Sequence, residues 1–499
     1  MAGFVLEIYG EPAKNGVNRR DFSEAPASVH AITPCGELNQ RIDLLPGNLP
    51  RPHQLFKLFS HTFLAPLLKK WHFSGMSGEK PREIAVRILQ RRERGEDFVE
   101  TITEKELAAA NLSGPDRGLV MELVYGCVRR VRTLDFLIDR KTQGRQQKEA
   151  LQILLRLGLY QIFFLDRVPE HAAVHETVEL AKRLGFGPQA GFINAVLRGY
   201  VRERAVTEKL LADLAQTDPA LAFSHPDWLW TRWFQRWGAD NARALLKLNN
   251  TPPPVFARAN TLRGNVDALT AAWQSEGVDF KARQFDWSPL VFELLTHPPL
   301  ASLPSFQKGL FYLQDPSTLL APKELGARSG ETILDICAAP GGKTTFIAQL
   351  TSNQATVVAE DNQPSRLSMV KENAERLGAR IEIGTAPTER KYDRILIDAP
   401  CSNTGVLRRR VDLRWRIKET EIARLATTQL SLLDKAVNRL KSAGTILYST
   451  CSLEPEENHE IVRKFLAAHS EFRLDREREL LPFREGVDGA YIAALIRAS

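Results

Sequence analysis

The chain is poor in cysteine and has no long apolar run. Five cysteines are spread over 499 residues, at Cys35, Cys127, Cys337, Cys401 and Cys451, with no CxxC pair among them. That spacing excludes a disulfide framework and a zinc knuckle, and it fits a reducing compartment. No apolar stretch approaches the length needed to cross a bilayer. The N-terminus also lacks a basic segment followed by an apolar run and a small-residue cleavage site. A cytoplasmic protein with no membrane partner is expected. Compositional bias is absent as well, at 43% hydrophobic and 25% charged residues, so the fold must be read from pattern. The one surplus is positive charge. A net +7 favours a polyanionic partner. The length calls for two or three separately packed domains.

Residues 1–75 show little sustained periodicity, and Trp71 to Pro81 reads as a linker and a fresh start, leaving Met76 as an alternative initiator to Met1. Residues 77–205 are expected to be all-α. Ile84, Ala85, Ile88 and Leu89 form one apolar face, and Val120, Leu123, Val124, Cys127, Val128 and Val131 form another. Leu151 to Phe164 is apolar nearly all round, as a central bundle helix would be, and Phe192, Ile193, Val196, Leu197 and Tyr200 form a further face. Arg91, Arg92 and Arg94, with Arg129, Arg130 and Arg132, are clustered bases that could grip phosphates or form a solvated face. His171 and His175 stand i, i+4, but without further ligands helix-entry packing is expected rather than a metal.

After Asp218-Pro219 and His225-Pro226, the spacing of Trp228, Trp230, Trp233 and Trp237 favours a core over a base-stacking platform. Residues 226–317 read as a small α+β subdomain, with Phe256 to Asn260 a strand whose Arg258 could face RNA.

Residues 318–499 carry the chemistry. Thr332 to Cys337 is a short apolar strand, and Ala338, Ala339, Pro340, Gly341, Gly342 and Lys343 then turn into a helix. Small residues and a helix N-terminus make a pocket for a nucleoside-bearing cofactor. An ATPase phosphate loop is the rival reading of Gly342-Lys343-Thr344. It fails because Cys337 stands where a glycine is required and Pro340 removes an amide. The next strand, Thr356 to Ala359, ends in Glu360-Asp361, where Asp361 could hold ribose hydroxyls or cap a helix over Asn362 to Leu377. Further strands at Arg394 to Asp398 and Gly444 to Tyr448 complete a doubly wound, Rossmann-like α/β domain. Two of these strands run into the tetrads Asp398-Ala399-Pro400-Cys401 and Ser449-Thr450-Cys451-Ser452.

Together, the 337–343 loop and the two tetrads resemble the RNA cytosine-5 methyltransferase family. Upstream, Asp116 to Val120, Val168 to Val174 and Gly191 to Arg198 resemble a NusB-like domain, which narrows the resemblance to the small-subunit rRNA methyltransferase B type. The resemblance implies S-adenosylmethionine held by Cys337, Ala338, Ala339, Pro340, Gly341, Gly342, Lys343, Asp361 and Asp398. It implies Cys451 as nucleophile, Cys401 assisting product release and Asp398 contacting cofactor and base. It implies small-subunit rRNA as partner through a helical domain that binds RNA or protein, and no obligatory protein partner is evident. Two departures stand out. Gly384-Thr385 lacks the family's usual acidic residue, and Arg408-Arg409-Arg410 precedes Val411 where proline is typical. The three arginines are expected to face RNA. A non-catalytic RNA-binding or assembly factor that kept the fold is the alternative, against which the intact Cys401, Cys451 and Asp398 weigh. Methylation of an exocyclic amine or of a protein would leave both thiols without a task.

Overall fold

The computed structural model describes residues 28–32, 38–43, 80–384 and 389–498, of which 28–32, 38–43 and 289–290 are described by their backbone alone. Trp71 to Met76, Cys35 and Thr385 lie outside the described residues. In the N-terminal unit, β1 (Ser28–Ile32) pairs antiparallel with β2 (Leu38–Asp43). Residues Gly78–Ser499 form a separate compact unit.

That unit opens with eight helices: α1 (Pro81–Glu93), α2 (Val99–Ala109), α3 (Gly114–Arg129), α4 (Val131–Thr142), α5 (Glu149–Phe164), α6 (Glu170–Arg183), α7 (Ala190–Arg202) and α8 (Arg204–Thr217). The Ser113 hydroxyl accepts the Asp116 N–H and so caps α3, with Pro115 in its first turn. Leu154, Leu155, Leu157 and Leu159 of α5 are fully buried, each worth about 2 kcal/mol of apolar transfer. The all-round apolar helix is therefore the bundle's centre. His171 and His175, expected to pack at the entry of α6, are exposed instead.

The helix α9 (Asp227–Leu248) breaks at Gly238, which has φ +77°. Trp233 is buried there, with Trp228, Trp230 and Trp237 packed around it, so the tryptophans are core. An antiparallel sheet follows in the order β4-β5-β3-β6, from β3 (Val255–Ala259), β4 (Asp279–Phe285), β5 (Ser288–Thr296) and β6 (Phe311–Leu313). It is backed by α10 (Val266–Ser275), whose Trp273 packs against Phe280, Phe292 and Phe311.

After α11 (Leu320–Leu325) the chain builds a seven-stranded sheet in the order β12-β13-β11-β10-β7-β8-β9. Its strands are β7 (Thr332–Asp335), β8 (Thr356–Ala359), β9 (Ile381–Ile383), β10 (Tyr392–Asp398), β11 (Leu440–Thr450), β12 (Phe472–Leu480) and β13 (Ala490–Arg497). Strands β7 to β11 are parallel and β13 runs antiparallel to β11. The helices α12 (Gly342–Leu350), α13 (Leu367–Leu377), α14 (Glu419–Val437) and α15 (His459–Ala468) make the crossovers. The strand order reverses between β7 and β10, and the carboxyl ends beside such a switch point are where a doubly wound sheet binds its ligand. The expected class, all-α then small α+β then doubly wound α/β, is the class observed.

Two arginine expectations are corrected. Arg258 is 1% exposed. It bonds to Gln314, the Gly342 carbonyl and Thr345, and packs on Tyr312 and Phe346, so it joins β3 to the cofactor-loop helix and cannot face RNA. Arg408 and Arg409 are both paired with Asp488 and Asp315, and only Arg410 of the three is exposed. The segment beyond them is a bracket onto the helical region. Asp412 accepts from Arg92 at 2.8 Å and from the Val99 N–H, and Trp415 donates to the Val128 carbonyl at 2.9 Å. Among the upstream bases, Arg91 pairs with Glu96 and Glu106, Arg132 pairs with Asp227, and Arg129 is buried, so these do not form one solvated face.

Candidate active site

Register brings the two cysteines together. Asp398 of β10 pairs with Ser449 of β11, and the Ala399 N–H donates to the Ser449 carbonyl at 2.9 Å. Each strand then runs on for two or three residues into its cysteine. The sulfurs of Cys401 and Cys451 stand 3.4 Å apart. Cys401 is buried and Cys451 is partly exposed. The hydrogen bond to Cys451, followed by burial, raises the Cys401 thiol well above the ordinary range. Cys337 is pushed up to about 12, chiefly by burial and then by the nearby carboxylates of Asp335, Asp398 and Asp361.

Two features absent from the sequence reading hold this pair. Asn403, at φ +56°, accepts from the Cys451 thiol at 3.1 Å and donates to the Cys401 carbonyl at 2.6 Å. Glu457 is fully buried. It accepts from the Ser402 N–H at 2.9 Å, the Ser402 hydroxyl, the Ser452 hydroxyl at 2.5 Å and the Gln429 amide at 3.0 Å. One carboxyl group thus ties together the residues that follow each cysteine. Burial raises its pKa against the opposing pull of those donors. The sequence shows a Cys-Ser pair repeated at 401–402 and 451–452, but nothing local to either pair singles out Glu457 among the acids after Ser452. Gly405 is required by close approach: a Cβ there would lie 2.6 Å from the Cys451 carbonyl oxygen and 2.8 Å from Gly489 Cα.

On the other side of Asp398, Lys343 donates to its carboxylate at 2.6 Å. Burial pulls the ammonium down, but Asp398 outweighs it and the net shift is upward. Asp335, at the end of β7, is pushed up to about 7 by burial and by the charge of Asp398, opposed by the Thr344 hydroxyl, which donates at 2.7 Å. The 337–343 loop lies between these groups and the end of β8, where the Ala338 N–H donates to the Glu360 carbonyl.

Asp361 accepts the Ala339 N–H at 3.3 Å and the Gln363 N–H at 3.0 Å. It does not cap a helix over Asn362 to Leu377, because α13 begins at Leu367 after a single turn of 3-10 helix. Its side chain is 2% exposed, with Arg366 Nη1 3.6 Å away. A carboxylate with these two N–H partners keeps lone pairs for further donors such as ribose hydroxyls. The glycines serve the protein as well as any ligand. A Cβ on Gly341 (φ +99°) would lie 3.2 Å from Val370 Cα, and one on Gly342 would lie 3.0 Å from Tyr312.

Residues 318–496 match the family described as 16S rRNA methyltransferase RsmB/F, residues 79–202 the NusB family and residues 225–294 the ferredoxin-like domain of RsmF/B-like methyltransferases. The probable ribosomal RNA small subunit methyltransferase B of Bacillus subtilis is 33% identical over 441 residues, covering 83% of this chain and 98% of that protein. The chain belongs to the ribosomal RNA small subunit methyltransferase B family. A Klebsiella pneumoniae member is 35% identical over 427 residues, covering 80% of this chain and 96% of its own. The crystal structure of PH0851 shares the fold, with a TM-score of 0.67 at 22% identity over 85% of this chain and all of that one. Among the described residues, no helix is long and apolar enough to cross a membrane, and no group of three or more His, Cys, Asp or Glu could hold a metal.

Proposed function

We propose that this protein transfers a methyl group from S-adenosylmethionine to C5 of a cytosine in 16S rRNA, with Cys451 adding to C6. Membership of an rRNA methyltransferase family supports the substrate class and the cofactor. The observation that carries the chemistry is the pair of thiols 3.4 Å apart beside Lys343 and Asp398. Cytosine C5 is a weak carbon nucleophile, and thiolate addition at C6 turns the ring into an enamine that can attack an electrophile. S-adenosylmethionine, when bound at the 337–343 loop and Asp361, supplies an electrophilic methyl group. Asp398, with Lys343, hydrogen-bonds the pyrimidine edge as charge gathers there. The target base must be unpaired or extruded to expose its face.

The thiols exchange roles through their hydrogen bond. While Cys451 is a thiolate, Cys401 donates to it and stays protonated, in line with its raised pKa. Once Cys451 is bonded to carbon it carries no charge, and the chief cause of that elevation disappears. Cys401 can then give up its own proton to solvent and, as the thiolate, take the C5 proton; the C5–H electron pair forms the C5=C6 bond and Cys451 leaves C6 as a thiolate. We also propose the division into 1–75, 77–205, 226–317 and 318–499, with the protein acting on rRNA in the cytoplasm. Bisulfite sequencing of 16S rRNA from cells with and without the gene tests the reading. One cytosine should lose its protection on deletion and regain it on complementation, and identical profiles would contradict the proposal.

A further inference from the structure

A cavity of about 350 Å³ lies between α3 and the loop that follows α9, within the size range of small-ligand pockets. Its walls include Met121, Glu122, Tyr125, Arg129, Pro252 and Pro253. Arg408 and Arg409 also line it, but both are committed to Asp315 and Asp488. Arg129 is different. It is 6% exposed, and its buried Nε has no hydrogen-bond partner. Arg129 therefore brings to this wall a guanidinium whose donors the protein leaves partly unused.

We propose that this cavity receives an unpaired nucleobase of the RNA substrate, from the strand that carries the target cytosine. The inference rests on the RNA-methylating reading above. A tyrosine ring, two prolines and an exposed methionine offer apolar surface to a flat base. Arg129 offers donors to an acceptor edge, and Glu122, with one oxygen held by Tyr160, offers an acceptor to a donor edge. A bare phosphate fits less well, because Glu122 meets it as a like charge and the apolar walls gain nothing from it. Position supports the same occupant. The Gly405 N–H donates to the Cys451 carbonyl at 2.9 Å, and Arg408 on the cavity wall is three residues further on, a reach of at most about 11 Å. A nucleotide near the target in the same strand spans that interval.

The test is equilibrium binding of transcribed 16S rRNA to the full chain across a salt series. Gly118→Trp fills the mouth of the cavity. Gly118 is exposed on α3, and a Cβ there meets nothing within 4 Å, so the variant should fold. Arg129→Leu removes the unpaired donor. Both should weaken RNA binding about tenfold, near the low end of what losing one stacked base costs. The salt slope and the S-adenosylmethionine affinity should not change. Wild-type RNA affinity in Gly118→Trp overturns the proposal. So does a slope lowered by about one in Arg129→Leu while Gly118→Trp binds normally, since that marks a phosphate contact. The comparison reads binding alone, so a wild-type chain that binds this RNA but transfers no methyl group to cytosine refutes the reaction assignment and leaves the cavity result to stand or fall by itself.

Discussion

Glu457→Ala is the perturbation that asks most of the account of how the thiols are held. The carboxyl group takes four buried hydrogen bonds, two of them from Ser402 and one each from Ser452 and Gln429. Each is worth about 1 kcal/mol net, and a donor left dry costs more. Against this loss stands relief from burying the acid, whose pKa burial raises. We expect a net destabilisation of about 3 kcal/mol. Glu457→Gln keeps one acceptor oxygen, and the two serine hydroxyls can rotate to accept from its amide, so it should lose only about 1 kcal/mol. Urea unfolding measures both, and single-turnover methyl transfer measures whether the residues after each cysteine have drifted apart. The alanine variant should lose at least about tenfold in the chemical step, a loss of 1.4 kcal/mol in transition-state stabilisation, with S-adenosylmethionine affinity unchanged. An alanine variant within about 1 kcal/mol of wild type, with full single-turnover rate, would refute the clamp.

Gly405→Ala places a methyl group 2.6 Å from the Cys451 carbonyl, and overpacking of this kind costs about 1–3 kcal/mol. Its kcat should fall while the cofactor Kd holds, and an unchanged kcat would show that this turn does not position Cys451. Asp361→Ala should raise the S-adenosylmethionine Kd about tenfold, the value of a hydrogen bond to a charged group, whereas Arg366→Ala should not weaken binding because it uncovers the carboxylate. Titration calorimetry decides, and equal affinities for Asp361→Ala and wild type would remove the ribose assignment. Asp335 has its folded pKa raised to about 7, above the unfolded value of about 4. The stability linked to its proton is therefore complete below about pH 4 and is lost as pH rises to about 7, a change of up to about 4 kcal/mol. Urea midpoints should fall across that window and fall less in Asp335→Asn, and identical pH profiles would contradict the shift.

The sheet and the meeting of its two cysteines were legible because β7, β8, β10 and β11 carry apolar runs that end in unusual residues, and parallel register then carries Asp398 and Cys401 beside Cys451. The tryptophans of α9 read correctly as core for the same reason, a helical period in apolar residues. Arginine was where the reading failed. Arg258, Arg408 and Arg409 look like RNA contacts in one dimension, but their partners Gln314, Asp315 and Asp488 are 56 to 94 positions away in the chain. No local pattern encodes such pairings. Glu457 was invisible for a related reason: its partners arrive from two strand ends and from α14, and only the tertiary fold makes them neighbours.

The central claim is that two thiols 3.4 Å apart perform different steps, and denaturing electrophoresis of each alanine variant with 16S rRNA and S-adenosylmethionine tests it most directly. Cys451→Ala should form no covalent RNA complex and transfer no methyl group, since no other thiol is placed to attack C6. Cys401→Ala should still attack and methylate but fail to release, so a methylated RNA–protein adduct should accumulate and survive denaturation. An adduct in Cys451→Ala and none in Cys401→Ala would reverse the two roles, and full activity in both variants would contradict covalent catalysis altogether.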